Sequence, residues 1–138
     1  MTSNVEYIKN LSTSCTHIKS GSQILTDAPT DNNGKGEKFS PTDLVATSLA
    51  ACMLTVMGIK AEEDKIHFQN VSAAVEKIME SNPRRISEIK IIISIGEVWS
   101  KKEKSIMERT ALTCPVAKSL NPDLLQEIEF VYTNESIS

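Results

Sequence analysis

From Leu44 to Ile59 the sequence carries no charged side chain, and the stretch FSPTDLVATSLAACMLTVMGIKAEE, Phe39 to Glu63, reads as one long helix apolar on nearly every face. Three neighbouring residues mark its start. Ser40 can accept a hydrogen bond at the N-cap, Pro41 suits the first helical position because it has no N–H to leave unpaired, and Asp43 stands where a capping-box acid belongs. The uncharged run falls short of the roughly 20 apolar residues a membrane span needs and contains Thr47, Ser48 and Thr55, so a helix buried in a soluble fold is expected, with no membrane partner. A helix apolar all round must be covered all round. With one Trp, two Tyr and three Phe the rest of the chain offers little bulk for this, and a second copy of the protein is the expected cover.

The flanking segments read as strands and amphipathic helices. Val5 to Leu25 alternates weakly and is broken by Ser20-Gly21-Ser22, which predicts short strands joined by a tight turn. DAPTDNNGKGEK, Asp27 to Lys38, has the Pro, Asn and Gly content of a surface loop. Strand character returns over Ile66 to Ile78 and over ISEIKIIISI, Ile86 to Ile95, where Ile89, Ile91, Ile93 and Ile95 share one face across a turn at Asn82-Pro83. Ser100 to Glu103 forms a second capping box and opens a helix to about Leu112, with Ile106, Met107 and Ala111 at helical spacing. Thr113-Cys114-Pro115 then leads into a short helix, Val116 to Leu120, and Ile128 to Tyr132 closes the chain as a strand. Strands in runs rather than in alternation with helices give an α+β class, and the length fits a single domain, 1–138.

The composition removes several functions. A formal charge of -3 with scattered Lys and Arg leaves no stripe for neutralising phosphates, so no nucleic-acid partner is expected. Two histidines, His17 and His67, with no zinc-ligand spacing argue against a metal site. MTSNVEYIKN lacks the basic segment and apolar run of a secretory signal, so a cytoplasmic location is expected. Three cysteines in such a compartment make a static disulfide framework improbable and leave reactive or merely packed thiols as the choice.

Cys52, at the middle of the long helix, is by itself a small hydrophobe. One turn away on its face lie Ser48, Leu49, Thr55 and Val56, so two hydroxyls are placed to hydrogen-bond the sulfur and two apolar side chains to wall a pocket for an apolar substrate with one polar reactive group. Cys114 at a helix start faces unpaired N–H groups, which lower a thiol's pKa. The two together suggest an interior thiol that is oxidised first and a second that closes a disulfide. Cys15, between Ser14 and Thr16, has no such partner and reads as structural; His17 and His67 read as packed or surface residues.

SPTDLVATSLAAC followed far downstream by TCPVAKSL resembles the paired signature of the OsmC/Ohr family of thiol-dependent hydroperoxide reductases, and HIKSGSQILTDAPTDNNGKGEKFSPTDL resembles the N-terminal half of a bacterial OsmC-like subgroup. The resemblance implies an intertwined α+β homodimer in which long central buried helices are wrapped by antiparallel sheets from both chains. It also implies that Cys52 is the peroxidatic cysteine and Cys114 the resolving one, acting on a small apolar hydroperoxide. The implied reductant is external, a dithiol or lipoylated protein, and no metal, haem or flavin is implied.

Two departures bear on the activity. The family's best-understood enzymes set an N-terminal arginine beside the reactive cysteine and a glutamate directly after the helix-start proline; this chain has no arginine before Arg84, and it has Thr42 then Asp43 after Pro41. Lys35 or Lys38, with Glu37 to orient the cation, is one substitute, and Arg84 or Arg85 reaching across a dimer is another. The alternative function is an OsmC-like binding or stress-protection module with little or no peroxidase activity.

Overall fold

The computed structural model describes residues 1–134, and these fall into two compact units, Met1–Val45 and Ala46 onward. In the first, β1 (Ser3–Lys9), β2 (Ser12–His17) and β3 (Gln23–Asp27) form an antiparallel sheet in the order β1-β2-β3. The register sets Val5 opposite Cys15 and Cys15 opposite Ile24, so these three share a face. The expected Ser20-Gly21-Ser22 turn is present, with Gly21 at φ 77°. A second hairpin, between β1 and β2, turns on Asn10 and Leu11 at φ 55° and 63°; this left-handed pair is unusual for leucine, and no glycine announced it. The loop after β3 contains a single 3-10 turn, Thr30–Asn32.

Helix α1 spans Pro41–Asp64. Its start is the capping box read from the sequence: the Asp43 N–H donates to Ser40 Oγ at 3.0 Å, and the Ser40 N–H donates to Asp43 Oδ2 at 2.9 Å. At 24 residues it is long and apolar enough to cross a membrane, contrary to the expectation that it falls short, but the core helix of a folded domain passes the same test. Ala46, Leu49, Ala50, Met53, Met57 and Ala61 are buried along one face, while Val45 and Ile59 stay exposed. The helix expected to be buried on every side is therefore covered on one side within a single chain.

In the second unit β4 (Val71–Glu80), β5 (Arg85–Ile95) and β6 (Leu125–Tyr132) form a sheet in that order. The β4–β5 pair is antiparallel and the β5–β6 pair parallel, which corrects the expectation of purely antiparallel sheets. The reason is the connection: α2 (Lys101–Leu112) and α3 (Pro115–Ser119) carry the chain back to the starting end of β5 before β6 begins, as a parallel crossover requires. Ile89, Ile91, Ile93 and Ile95 are all buried, joined in one core by the α1 face, Met107, Ala111 and Cys114. At the end of β5 the Gly96 N–H donates to the Asn70 carbonyl at 2.7 Å; a Cβ at Gly96 would lie 2.9 Å from Asn70 Cβ, so this approach admits only glycine.

Candidate functional site

Cys52 and Cys114 both belong to the second unit and are both free thiols. Cys52 sits half-buried on α1, against the core. Cys114 is buried, 1% exposed. It is the N-cap of α3, held in extended conformation by Pro115 at the first helical position, and its Sγ accepts the Ala117 N–H at 3.4 Å. The side chain of Gln126 on β6 donates to the Ala117 carbonyl at 3.0 Å, tying α3 to the sheet. The two thiols, remote in sequence, lie close enough for Cys52 to raise the Cys114 pKa.

Burial pushes the Cys114 thiol pKa up, and the facing Cys52 raises it further, against the pull of the Ala117 and Val116 N–H groups. This corrects the expectation that the helix start would lower it. Two backbone dipoles on a five-residue helix are outweighed by loss of solvent and by a second sulfur alongside.

The residues flanking Cys52 divide differently from the expectation. Thr55 donates its hydroxyl to the Ala51 carbonyl at 2.7 Å, the usual back-bond of a threonine inside a helix, so this proton is directed at the backbone and not at the sulfur. Leu49 is fully buried and belongs to the core instead of a pocket wall. Val56 is half-buried against the same core, and Ser48 is exposed.

Asp43, Glu37 and Lys38 belong to the first unit. The Asp43 carboxylate is engaged at the start of α1, and Glu37 and Lys38 line an exposed cleft of about 400 Å³ with Leu25, Gly36 and Phe39. Lys35 lines a neighbouring cleft with Lys9 and Asp27. Arg85 donates to Glu80 Oε2 at 2.8 Å and to the carbonyls of Pro83 and Ser81, all within its own hairpin. Arg84 is exposed on the same turn. Cys15 is half-buried on β2, and His17 Nδ1 lies 2.7 Å from Ser20 Oγ. Among the described residues no group of His, Cys, Asp and Glu is arranged to hold a metal.

Sequence reading missed two buried carboxylates: Asp27, read as the start of a surface loop, ends β3 at 6% exposed, and Glu97 was not singled out. Glu97, 4% exposed, accepts the N–H groups of Gln69 and Asn70 at 2.6 and 2.7 Å, and His67 Nε2 lies 3.5 Å from its other oxygen. Trp99 donates to the His67 carbonyl at 2.8 Å and stacks on Phe68. These contacts fasten the segment between α1 and β4. Nothing in the local pattern GEVWS distinguishes a buried glutamate from a solvated one.

Residues 34–128 match the family described as OsmC-like protein. No curated protein matches the chain. A solved structure from Psychrobacter arcticus 273-4, named for osmotic stress induction and the detoxification response, is 51% identical over 94% of this chain and 95% of its own, with a TM-score of 0.91. The organic hydroperoxide resistance protein OsmC of Legionella pneumophila has the same fold at 15% identity, covering 96% of this chain and 97% of its own, with a TM-score of 0.72. A Vibrio cholerae O1 biovar eltor str. N16961 protein named for organic hydroperoxide resistance, with a molecule of captopril in one of its active sites, covers 97% of this chain and 92% of its own at 12% identity and a TM-score of 0.69.

Proposed function

The chain belongs to the OsmC-like protein family, and from that premise we propose that it is a cysteine-based peroxidase reducing organic hydroperoxides through Cys52 and Cys114. The observation that carries this reading is a half-buried free thiol placed near enough to a buried one to raise its pKa, in the unit with the developed core. The hydroperoxide resistance named for the Legionella and Vibrio proteins supports the reaction class, and the captopril of the latter supports a small-molecule site.

In the proposed cycle the Cys52 thiolate attacks the terminal peroxide oxygen, the O–O bond breaks, and the alkoxide leaves and takes up a proton as alcohol. Cys52 is then a neutral sulfenic acid. A facing thiolate no longer opposes ionisation of Cys114, while the Ala117 and Val116 N–H groups still favour it. Cys114 loses its proton, its sulfur attacks Cys52, and water departs as the disulfide forms. An external dithiol restores both thiols. The protein works in the cytoplasm as one OsmC-like domain, 1–138, paired with a second copy that covers the open side of α1.

One alkyl hydroperoxide equivalent should remove two thiols per chain and leave a Cys52–Cys114 bridge in peptide mass maps, and Cys52→Ser should consume none. Continued consumption by Cys52→Ser would overturn the assignment. A second reading, a binding or stress-protection module with little turnover, is favoured by Arg85 being engaged in its own hairpin and by the absence of any arginine before Arg84. Oxidation much slower than binding of apolar small molecules would decide for it.

A further inference from the structure

Strand β6 alternates strictly: Gln126, Ile128, Phe130 and Tyr132 are half-buried, and Leu125, Glu127, Glu129 and Val131 between them are more exposed. Ile128, Phe130 and Tyr132 pack on the core. Gln126 heads the same row, paired in the sheet with fully buried Ile89, while the apolar Leu125 next to it faces outward. An amide in a core-facing row is costly unless it is hydrogen-bonded. Its partner is the Ala117 carbonyl of α3, at 3.0 Å. The remaining hydrogen bonds of α3 stay local: the Cys114 N–H to the Ala111 carbonyl, the Lys118 N–H to the Cys114 carbonyl, and the Ser119 hydroxyl to the Pro115 carbonyl. Among the described residues, the Gln126 amide makes the one hydrogen bond that joins α3 to the sheet. Val116, Ala117 and Leu120 add apolar contact with the core, but such contact is non-directional and fixes position less sharply than a hydrogen bond. The N-cap of this five-residue helix is Cys114.

We propose that Gln126 is a positioning residue for the Cys52–Cys114 bridge: its bond to the Ala117 carbonyl sets α3 against the sheet so that Cys114 is presented to Cys52. The inference rests on the thiol-pair reading above, and Gln126 acts in it through α3 and not on a sulfur. A disulfide demands Cα atoms about 4.4 to 6.8 Å apart with the Cβ atoms directed at one another, a narrow window that a short helix free to slide would leave. Turning the Cys114 sulfur about its Cα–Cβ bond, away from the Ala117 N–H and toward Cys52, leaves the Ala117 carbonyl in place. The tether is thus kept in the thiol and disulfide forms alike, and it raises the effective concentration of one cysteine at the other.

The test equilibrates the full-length protein with mixtures of oxidised and reduced glutathione, starting from both the thiol and the diamide-oxidised forms, and counts the bridge after acid quenching. One oxidised glutathione takes two electrons from the thiol pair, leaving the protein disulfide and two molecules of reduced glutathione. The equilibrium constant therefore measures the effective concentration directly. Gln126→Met keeps the side-chain length without the donor, and Gln126→Glu keeps a polar group that at neutral pH cannot donate. Both should lower the constant about threefold to tenfold. Ser100→Ala, which weakens the same unit at the far end of α2, should leave it within about twofold. An unchanged constant in both Gln126 variants, an equal fall in Ser100→Ala, or a wild-type protein that forms no bridge in any glutathione mixture overturns the proposal. A bridge that forms in glutathione and weakens in the Gln126 variants, but does not form with an alkyl hydroperoxide, removes the peroxidase reading and leaves Gln126 in its role. A bridge made by the hydroperoxide with a constant indifferent to Gln126 does the reverse.

Discussion

Among the described residues every buried apolar side chain lies at Ala46 or beyond, whereas the buried residues of the first unit are Thr26, Asp27 and Ser40. The second unit is held by a packed interior of isoleucine, methionine and leucine. The first is held by hydrogen bonds: Ser12 to Asp27, Thr13 with Thr26, and the Asp27 N–H to the Phe39 carbonyl. Its β1 is exposed at all seven positions, and Val5, Tyr7 and Ile24 are 58%, 65% and 49% exposed on one face. A three-stranded sheet with its apolar face in water is marginal by itself. The difference teaches that a chain can be complete in its thiol pair and incomplete in its cover.

The most severe way to break this comparison is Ile24→Asp. It sets a charge in the middle of the apolar face formed with Val5 and Cys15, and if a second copy covers that face, association should be lost altogether. Sedimentation would then show a halved mass. A wild-type protein that already sediments as one chain at micromolar concentration would sink the dimer reading.

The next effect belongs to the second unit alone. Ile93→Ala empties a fully buried site between β5 and α1 and should cost about 2 to 5 kcal/mol, read as a lower denaturant midpoint. Val5→Ala, on the exposed sheet, should cost well under half of that in the same measurement unless a second copy covers it.

Much of this contrast was legible. Capping boxes at Ser40 and Ser100, the isoleucine alternation of β5 and the Thr113-Cys114-Pro115 helix start all act through neighbours in sequence, so local chemistry announced them. What stayed hidden depends on long-range partners. The parallel pairing of β6 is set by where α2 and α3 deliver the chain. The Asn10-Leu11 hairpin uses a leucine where glycine would have been the signal. The candidate site divides the same way: the two cysteines stood out by residue type and position, but Thr55, Leu49 and the direction of the Cys114 shift depend on burial and competing partners that spacing does not encode.

Glu97→Gln sharpens the account of the second unit through pH. The Asn70 N–H, followed by the Gln69 N–H and His67, holds the Glu97 carboxyl below the usual carboxylate range in spite of its burial. A carboxylate depressed on folding contributes stability that is present above its unfolded pKa and is lost as pH falls through the folded one. The variant should therefore be less stable by about 1.5 to 3 kcal/mol at pH 7, with the gap closing below about pH 4. A gap that persists unchanged at acid pH would mean that packing, and not charge, is what Glu97 supplies.

The smallest expected effect compares one motif in both units. Ser100 caps α2 at the surface, its Oγ 3.1 Å from the Glu103 nitrogen, and Ser100→Ala should cost about 1 kcal/mol because water replaces the lost acceptor. Ser40 makes the same cap for α1 while 1% exposed, with Thr42 Oγ1 at 3.2 Å from its hydroxyl. Water cannot so easily take the place of that hydroxyl, and Ser40→Ala should cost about 2 kcal/mol, the upper end for a cap. The order of the two denaturant midpoints is the measurement. Were Ser100→Ala the costlier, the polar interior of the first unit would be contributing less to the fold than its buried hydrogen bonds imply, and the weight of holding α1 in place would shift to the core beyond Ala46.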